Sequence, residues 1–286
     1  MAKKLAGQVA FITGGGRGIG RGIAAAFARE GCHLALIART KPELDSTAST
    51  LQKESDVTIM TFAVDIADEN NVRKAVDAVS ASFGHIDILV NNAGEIGPIG
   101  NLTTVNSAKF FQTLRVNLGG TLFCMQAIVP LMQQHKSGCI INFSGGGALN
   151  PFPFFDAYSA SKAAVVRLTE NLAIELEDSG ITVCAIAPGG VNTKMFEDML
   201  AAGEAKVGEK LWQKFQLRAM EGGDSIDRPA ELAVFIAANR PPVFNGRVIS
   251  AQWDNWQAIL DHENELRGSD VYQLRRILPK DRGYDW

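Results

Sequence analysis

The stretch VAFITGGGRGIG, residues 9–20, decides the fold of this chain. Residues 9–13 are largely apolar and rich in β-branched side chains, which is typical of a buried parallel strand. A glycine-rich turn follows, and apolar side chains then recur at helical spacing from residue 23 to residue 28. A strand, a glycine turn and a helix in this order bind a dinucleotide, because the glycines let the backbone approach the pyrophosphate and the helix N-terminus supplies N–H donors. An ordinary glycine-rich turn is the alternative interpretation.

The second predicted strand indicates which dinucleotide this unit prefers. It runs over residues 34–38 and is followed by Arg39. An acidic residue at this place would bond the ribose hydroxyls of NAD, whereas a guanidinium suits the 2′-phosphate of NADP. Arg17, in the glycine turn, can reach the same region. The sequence therefore favours NADP(H), with NAD(H) possible, and the alternative is that both arginines are solvated surface charges.

A second motif, Tyr158 and Lys162, could carry the chemistry of the chain. On a helix this spacing places the phenol and the ammonium on one face, one turn apart. We expect the positive charge to lower the pKa of the phenol, so that the phenol exchanges a proton with an alcohol or carbonyl oxygen near neutral pH. Taken alone, the motif could also be an ordinary surface pair on a helix.

Further motifs follow the glycine turn along the chain. In order, they are Asp65, Asn91-Asn92-Ala93-Gly94, Asn117, Ser144, Tyr158 with Lys162, and Pro188-Gly189. By this order and spacing the chain resembles the short-chain dehydrogenase/reductase family. The resemblance implies a Rossmann-like α/β fold, with a doubly wound parallel sheet of about seven strands in a single domain. We expect this NAD(P)-binding domain to span residues 1–252 and a C-terminal extension to span residues 253–286.

The resemblance also implies a role for each motif residue. Tyr158 would be the acid/base, Ser144 would orient the substrate carbonyl, and Asn117 would position a water that links Lys162 to solvent; these four are the predicted catalytic residues. The predicted cofactor-binding residues are Gly14, Gly16, Arg17, Gly18, Ile19, Gly20, Arg39, Asp65, Ile66, Asn92, Ala93, Gly94, Tyr158, Lys162, Pro188, Gly189, Val191 and Thr193. Among them, Asp65 would accept a hydrogen bond from the adenine amino group and Thr193 would hold the carboxamide. Outside the motif frame, Asn117 and Thr193 could equally be ordinary polar groups.

The serine departs from the family pattern by one position. The family's serine usually precedes the tyrosine by thirteen residues, where this chain has Gly145, and Ser144 lies one residue earlier. Either the loop carries one extra residue, which the neighbouring glycines would accommodate, or the role of the serine is displaced. We favour the extra residue, because no other hydroxyl side chain lies between Ser144 and Tyr158.

Two segments are expected to shape the substrate pocket. Residues 150–155 lie between the serine and the tyrosine and are rich in phenylalanine, and residues 191–223 carry apolar side chains at helical spacing where the family has a mobile lid. The predicted substrate-binding residues are Ser144, Phe152, Phe154, Phe155, Tyr158 and Phe196. An apolar lid fits a partly hydrophobic substrate. The alternative is that these side chains pack against the domain or a subunit partner.

Length and composition narrow the function classes. The 286 residues show no linker or repeat and suffice for one large α/β domain with a full core. A net charge of −3 without a basic patch argues against binding to nucleic acid or to an anionic membrane. The N-terminal residues lead directly into the first strand, so we expect no signal peptide, and we expect no apolar stretch of membrane-spanning length.

Cysteine and histidine usage predicts neither disulfides nor a metal site. The four cysteines lack Cys-x-x-Cys spacing and lie in apolar runs, as buried reduced thiols of a cytoplasmic protein would. The four histidines are scattered along the chain, so no zinc site and no histidine-based nucleophile is predicted.

Together these patterns predict an NADP(H)-dependent oxidoreductase that acts on a small carbonyl or secondary alcohol substrate, as a homodimer or homotetramer. One alternative is a non-catalytic NADP-binding regulatory protein on the same fold, and another is an NAD-dependent alcohol dehydrogenase. A sugar-nucleotide epimerase fits the chain length and the glycine spacing less well. The C-terminal extension is amphipathic, and we expect it to pack on the core or a neighbouring subunit rather than to enter the pocket.

Overall fold

Seven parallel strands form the central sheet of the protein. The computed structural model describes residues 2–286 and orders the strands β3-β2-β1-β4-β5-β6-β7. The strands are β1 (Val9–Thr13), β2 (His33–Ala38), β3 (Ile59–Ala63), β4 (Ile88–Asn91), β5 (Gly138–Phe143), β6 (Ile181–Ala187) and β7 (Val248–Ser250). The predicted α/β fold with a doubly wound parallel sheet is thus confirmed.

Helices cover both faces of this sheet. They are α1 (Gly18–Arg29), α2 (Lys41–Glu54), α3 (Glu69–Phe83), α4 (Ser107–Leu114), α5 (Gly120–His135), α6 (Asp156–Glu175), α7 (Lys194–Ala201), α8 (Glu204–Val207), α9 (Glu209–Glu221), α10 (Asp227–Asn239) and α11 (Glu263–Leu266). Ala10 and Ile12 of β1 pack with α1, α2 and α10, whereas Val9 and Phe11 pack with α3, α5 and α6. Because both faces are buried, the strand reads as a nearly continuous apolar run.

The strand order reverses between β1 and β4. The chain builds β1, β2 and β3 outward in one direction and then returns to place β4 on the other side of β1. In an open parallel sheet this reversal leaves a crevice at the carboxyl ends of the two strands, where ligands bind. Thr13 and Asn91 are paired at these ends, so they mark the edge of the crevice.

A long helix crosses one face of the sheet and carries a π-helical turn. α4 continues through a π turn (Arg115–Gly119) into α5. By length and composition alone the helix Ser107–His135 could cross a membrane, so the expectation that no stretch reaches this length was wrong. Cys124, Ile128 and Met132 on α5 are buried in the core beside α3, as expected for a core helix.

The C-terminal extension packs on its own chain. Arg247, just before β7, is buried and donates from Nη2 to the carbonyl oxygens of Leu266 (2.7 Å) and Ser269 (3.1 Å). Leu274 donates its backbone N–H to Glu170 of α6 at 2.5 Å. None of residues 253–286 lines the cleft described below. The extension therefore covers the core instead of entering the site.

Candidate active site

A cleft opens at the carboxyl ends of β1 and β4 and brings most predicted site residues together. The predicted cofactor-binding residues that line it are Gly14, Gly16, Arg17, Gly18, Ile19, Arg39, Asp65, Ile66, Asn92, Ala93, Gly94, Pro188 and Thr193, together with Tyr158 and Lys162. Ser144 lines it as well. The glycine turn and the catalytic motif, which are far apart in sequence, therefore share one cavity.

Gly20 shapes the cleft from behind, without lining it. An ideal Cβ on Gly20 would overlap the carbonyl oxygen of Gly14 and lie 2.6 Å from Asn92 Nδ2. Real Cβ atoms essentially never come closer than 3.0 Å to another heavy atom. The first turn of α1 can therefore sit against the strand end only because this position lacks a side chain. The resulting cradle, with a helix N-terminus aimed at it, fits a dinucleotide pyrophosphate.

Thr13 ties the two strand ends together at the floor of the cleft. Its hydroxyl oxygen accepts the backbone N–H groups of Asn92 (3.1 Å) and Ala93 (3.0 Å). Asn92 returns a bond from Nδ2 to the Thr13 carbonyl oxygen at 3.0 Å. These bonds fix the Asn92–Gly94 backbone at the crevice, where the predicted cofactor ribose would lie.

An acidic side chain, Glu43, pairs with one of the two arginines at one end of the cleft. Arg17 Nη1 lies 3.0 Å from Glu43 Oε1, and Arg39 is exposed beside them. Sequence reasoning missed Glu43, because its approach to Arg17 depends on how α2 packs against the glycine turn and no motif marks it. The carboxylate therefore offsets part of the positive charge of Arg17.

Tyr158 and Lys162 lie one turn apart on α6 and are almost fully buried, at 7% and 4% exposure. Lys162 Nζ donates to the Phe143 carbonyl oxygen at 2.8 Å and lies 5.8 Å from the centre of the Tyr158 ring. Burial raises the pKa of Tyr158 to about 12 and lowers the pKa of Lys162 to about 8. The expectation that the ammonium lowers the phenol pKa therefore does not hold in the protein alone, because the loss of solvation on burial raises the pKa of Tyr158 instead.

Asn117 lies in the π turn and is fully buried. Its Oδ1 accepts the backbone N–H of Glu95 at 2.8 Å, and its Nδ2 donates to the Glu95 carbonyl oxygen and to Ser161 Oγ, each at 2.9 Å. These bonds lock the side chain between the β4 loop and α6. An ideal Cβ on Gly94 would lie 3.1 Å from Asn117 Oδ1 and 3.7 Å from Lys162 Nζ, so Gly94 passes close to both. The water-positioning role of Asn117 stays a prediction.

Ser144 is buried and lines the cleft beside Tyr158. Its backbone N–H bonds the Ile186 carbonyl oxygen at 2.9 Å, which continues the pairing of β5 with β6. It is nevertheless Gly145 whose Cβ position points at the Tyr158 hydroxyl. Ser144 and Tyr158 nevertheless line the same cleft, and the catalytic role of Ser144 stays a prediction.

The predicted substrate-binding phenylalanines form a cluster on Tyr158 and do not line the cleft. The rings of Phe152 and Phe155 stack at 4.3 Å, and Phe215 of α9 meets Phe196 of α7 edge-on at 6.1 Å. Phe154 belongs to the same cluster. The cluster packs on the catalytic ring, as the packing alternative requires, and contact of these side chains with the substrate stays a prediction.

Gly189 and Val191 are predicted to bind the cofactor, but neither residue lines the cleft. An ideal Cβ on Gly189 would overlap the side chain of Gln252, which donates to the Pro188 carbonyl oxygen at 3.1 Å. Val191 accepts a 2.7 Å bond from Arg218, whose guanidinium lies 4.0 Å from the Phe196 ring centre. Gln252 also donates to the Ser225 carbonyl oxygen at 3.1 Å, so it links the Pro188 loop to the start of α10.

Metal and disulfide chemistry find no support among residues 2–286. No group of three or more histidine, cysteine, aspartate or glutamate side chains in this range could hold a metal ion. All four cysteines are free and buried. Burial raises the pKa of Cys124 to about 12, so this thiol stays protonated.

Comparison with known proteins supports the same conclusion. A family profile described as short chain dehydrogenase matches residues 8–203. A short chain dehydrogenase of Pseudocercospora fijiensis is 33% identical over 271 residues, which cover 93% of this chain and 86% of the relative. The crystal structure of NAD+-bound xylitol dehydrogenase is similar with a TM-score of 0.80 at 26% identity, covering 87% of this chain and 98% of that chain. The structure of L-sorbose reductase from Gluconobacter frateurii, complexed with NADPH and L-sorbose, has a TM-score of 0.75 at 30% identity, covering 87% and 97%. This chain therefore belongs to the short-chain dehydrogenase/reductase family, as an oxidoreductase acting on CH–OH or C=O groups.

Proposed function

We propose that this oxidoreductase transfers a hydride reversibly between NADP(H) and a carbonyl or secondary alcohol substrate, with Tyr158 as the acid/base. The observation that carries the proposal is the shared cleft, in which the glycine turn and the arginines lie at one end and Ser144, Tyr158 and Lys162 at the other. A non-catalytic NADP-binding protein would not need three such side chains around one cavity.

Each polar group of the catalytic end has a defined task in this proposal. With its pKa raised by burial, Tyr158 is protonated at neutral pH and suits the role of proton donor to a carbonyl oxygen during reduction. Ser144 donates a hydrogen bond to the same oxygen. Lys162, still charged below about pH 8, stabilises the negative charge that develops there and bonds the ribose. The bound nicotinamide supplies the hydride.

The proposal includes a preference for NADP(H) over NAD(H). A 2′-phosphate would accept charge-assisted bonds from Arg17 and Arg39, and this favours NADP(H). One observation favours NAD(H) as the second candidate, since Glu43 already engages Arg17 and would repel the phosphate. Relatives with either cofactor occur among the similar structures, namely the NAD+-bound and the NADPH-bound enzymes described above.

A substrate screen tests the proposed function directly. The purified protein is titrated with NADPH and NADH, and the absorbance of the reduced cofactor is followed with cyclic, aliphatic and aromatic ketones and with the matching alcohols. We expect tighter binding of NADPH and turnover of apolar ketones, because the side chains that pack on Tyr158 are apolar and aromatic. Tight cofactor binding without turnover of any substrate would favour the regulatory alternative.

Assembly and location remain proposals of the same kind. We infer a homodimer or homotetramer in the cytoplasm, on the basis of the family and of the reduced, buried cysteines. Light scattering after size-exclusion chromatography measures the subunit number. A monomeric mass at micromolar concentration would contradict the assembly.

A further inference from the structure

Gly145 lies against the reacting end of Tyr158. An ideal Cβ on Gly145 would overlap the hydroxyl oxygen of Tyr158 and lie 2.9 Å from Cζ and 3.1 Å from Cε1. Real Cβ atoms essentially never come closer than 3.0 Å to another heavy atom. The phenol therefore occupies the volume that any side chain at position 145 would fill.

We infer that Gly145 is a positioning residue for the proton donor, and that its missing side chain is what lets the Tyr158 hydroxyl reach its place in the cleft. This inference rests on the proposed function, because it assigns Gly145 a task in the reaction proposed for Tyr158. Gly145 touches neither substrate nor cofactor in this role and acts through the tyrosine alone.

The three consecutive glycines of this loop, residues 145–147, differ in whether space or backbone conformation requires glycine. Gly147 has a φ of +90°, so its backbone conformation already favours glycine. Gly145 and Gly146 are not among the residues with positive φ, so other residues could adopt their backbone conformations. A Cβ on Gly146 would meet only Phe152, at an ordinary 3.6 Å. A Cβ on Gly147 would also overlap Ser159 Oγ. Glycine is thus required at position 145 for space alone, at position 147 for both conformation and space, and at position 146 for neither reason.

Position 145 lacks the serine hydroxyl that the family has at this place. The family carries its serine thirteen residues before the tyrosine, which is position 145 here. If glycine merely marked a lost serine, then restoring the hydroxyl should raise turnover. If the glycine seats the tyrosine, a serine displaces the phenol by about 1 Å, and a shift of this size in a catalytic group can cost about a hundredfold in rate.

The test compares Gly145→Ala and Gly145→Ser with Gly146→Ala as the matched control. We expect both changes at position 145 to lower kcat by about a hundredfold, and Gly146→Ala to stay within about twofold of the wild type. Cofactor affinity, measured by titration, should change little in all three. The apparent pKa in the pH profile of kcat should move in the two Gly145 variants only, since a displaced phenol changes its distance from Lys162. A Gly145→Ser enzyme as fast as the wild type, or faster, would overturn the inference.

A second measurement covers the case in which Gly145→Ala folds poorly. Its effect on Tm is measured in the wild type and in the Tyr158→Phe background, where the overlapping oxygen is gone. We expect a smaller loss of Tm in the Tyr158→Phe background, and an equal loss in both would contradict the contact. This measurement needs no turnover, so it decides the Gly145 contact even if the wild type proves inactive and the proposed function fails.

Discussion

The two ends of the cleft are built in different ways. Most of the cofactor end is one continuous segment, residues 9–39, of strand, glycine turn, helix and strand. The side chains of Thr13 and Asn92 link this segment to the end of β4. The substrate end joins the loop of residues 144–155, the lid of residues 191–223 and α6, and an aromatic cluster holds these parts together. The cofactor end therefore depends on local conformation, and the substrate end depends on side-chain packing between distant segments.

This difference explains which features the sequence could predict. At the cofactor end, the order of strand, glycine turn and helix specifies both the local structure and the ligand chemistry, so nearly all predicted residues line the cleft. Gly20 does not, because its task is to let α1 approach Gly14. Glu43 was missed because no local pattern shows that α2 brings a carboxylate to Arg17.

At the substrate end, the sequence identified the aromatic side chains and left open whether they contact the substrate or pack against the protein. The phenylalanines were predicted to bind the substrate because of their positions in the sequence. In the structure they contact one another and Tyr158 and do not line the cleft. Burial of the Tyr158–Lys162 pair also reversed the expected direction of the phenol pKa. Spacing along a helix gives the distance between two side chains, whereas their solvation depends on everything that packs around them.

Tyr158→Phe should separate the two ends most strongly. Removing the hydroxyl removes the general acid, so we expect turnover to fall by roughly a thousandfold. Cofactor affinity should remain nearly intact, because the glycine turn and the arginines are unchanged. Steady-state kinetics and cofactor titration on the same preparation measure both quantities. Near-normal turnover would exclude Tyr158 as the acid/base.

Gly20→Ala should instead weaken cofactor binding, because it disrupts the glycine turn at the cofactor end. Its new Cβ would overlap the Gly14 carbonyl oxygen, so α1 must move away from the strand end. We expect cofactor affinity to weaken by about a hundredfold, in line with a misplaced phosphate-binding turn, and Tm to fall. Titration and thermal unfolding measure these effects.

Gly22→Ala is the matched control for this change. Its Cβ would lie 3.2 Å from Ile226 Cγ1, so this side chain need shift by only a few tenths of an ångström. We expect its affinity for the cofactor to stay close to that of the wild type. Equal losses of affinity in Gly20→Ala and Gly22→Ala would mean that α1 responds to any added methyl group. That result would contradict a specific role of Gly20 in the cradle.

Arg39→Leu sharpens the comparison within the cofactor end. A charge-assisted bond to phosphate contributes about 1.5 to 3 kcal/mol, less at an exposed position, so we expect NADPH to bind about tenfold more weakly. NADH binding should be unchanged, and the added Ala38→Asp substitution should shift the preference further toward NADH. Glu43→Gln should instead strengthen NADPH binding, because it frees Arg17 and removes a repelling charge.

Arg29 is an exposed arginine at the end of α1 and lies outside the cleft, so Arg29→Leu is the control for a change in net charge. It should leave both affinities unchanged. If Arg39→Leu weakens NADH and NADPH equally, then Arg39 stacks on the adenine and does not read the phosphate.

The smallest effect concerns pH and arises from Lys162. Its pKa is lowered by burial from 10.5 to about 8, so in the protein alone the ammonium is largely lost between pH 7 and pH 9. We expect the reductive turnover to fall several-fold over this range, because the uncharged amine no longer stabilises the developing negative charge.

The contribution of Lys162 to stability should change in the opposite direction as the pH rises. The unfolded chain still holds the proton between pH 8 and pH 10.5, while the folded chain has released it, so the contribution of Lys162 to the free energy of unfolding rises with pH in this window. The difference in unfolding free energy between the wild type and Lys162→Met isolates this contribution from the other lysines. A difference that stays constant from pH 7 to pH 10 would show that the pKa of Lys162 is not lowered.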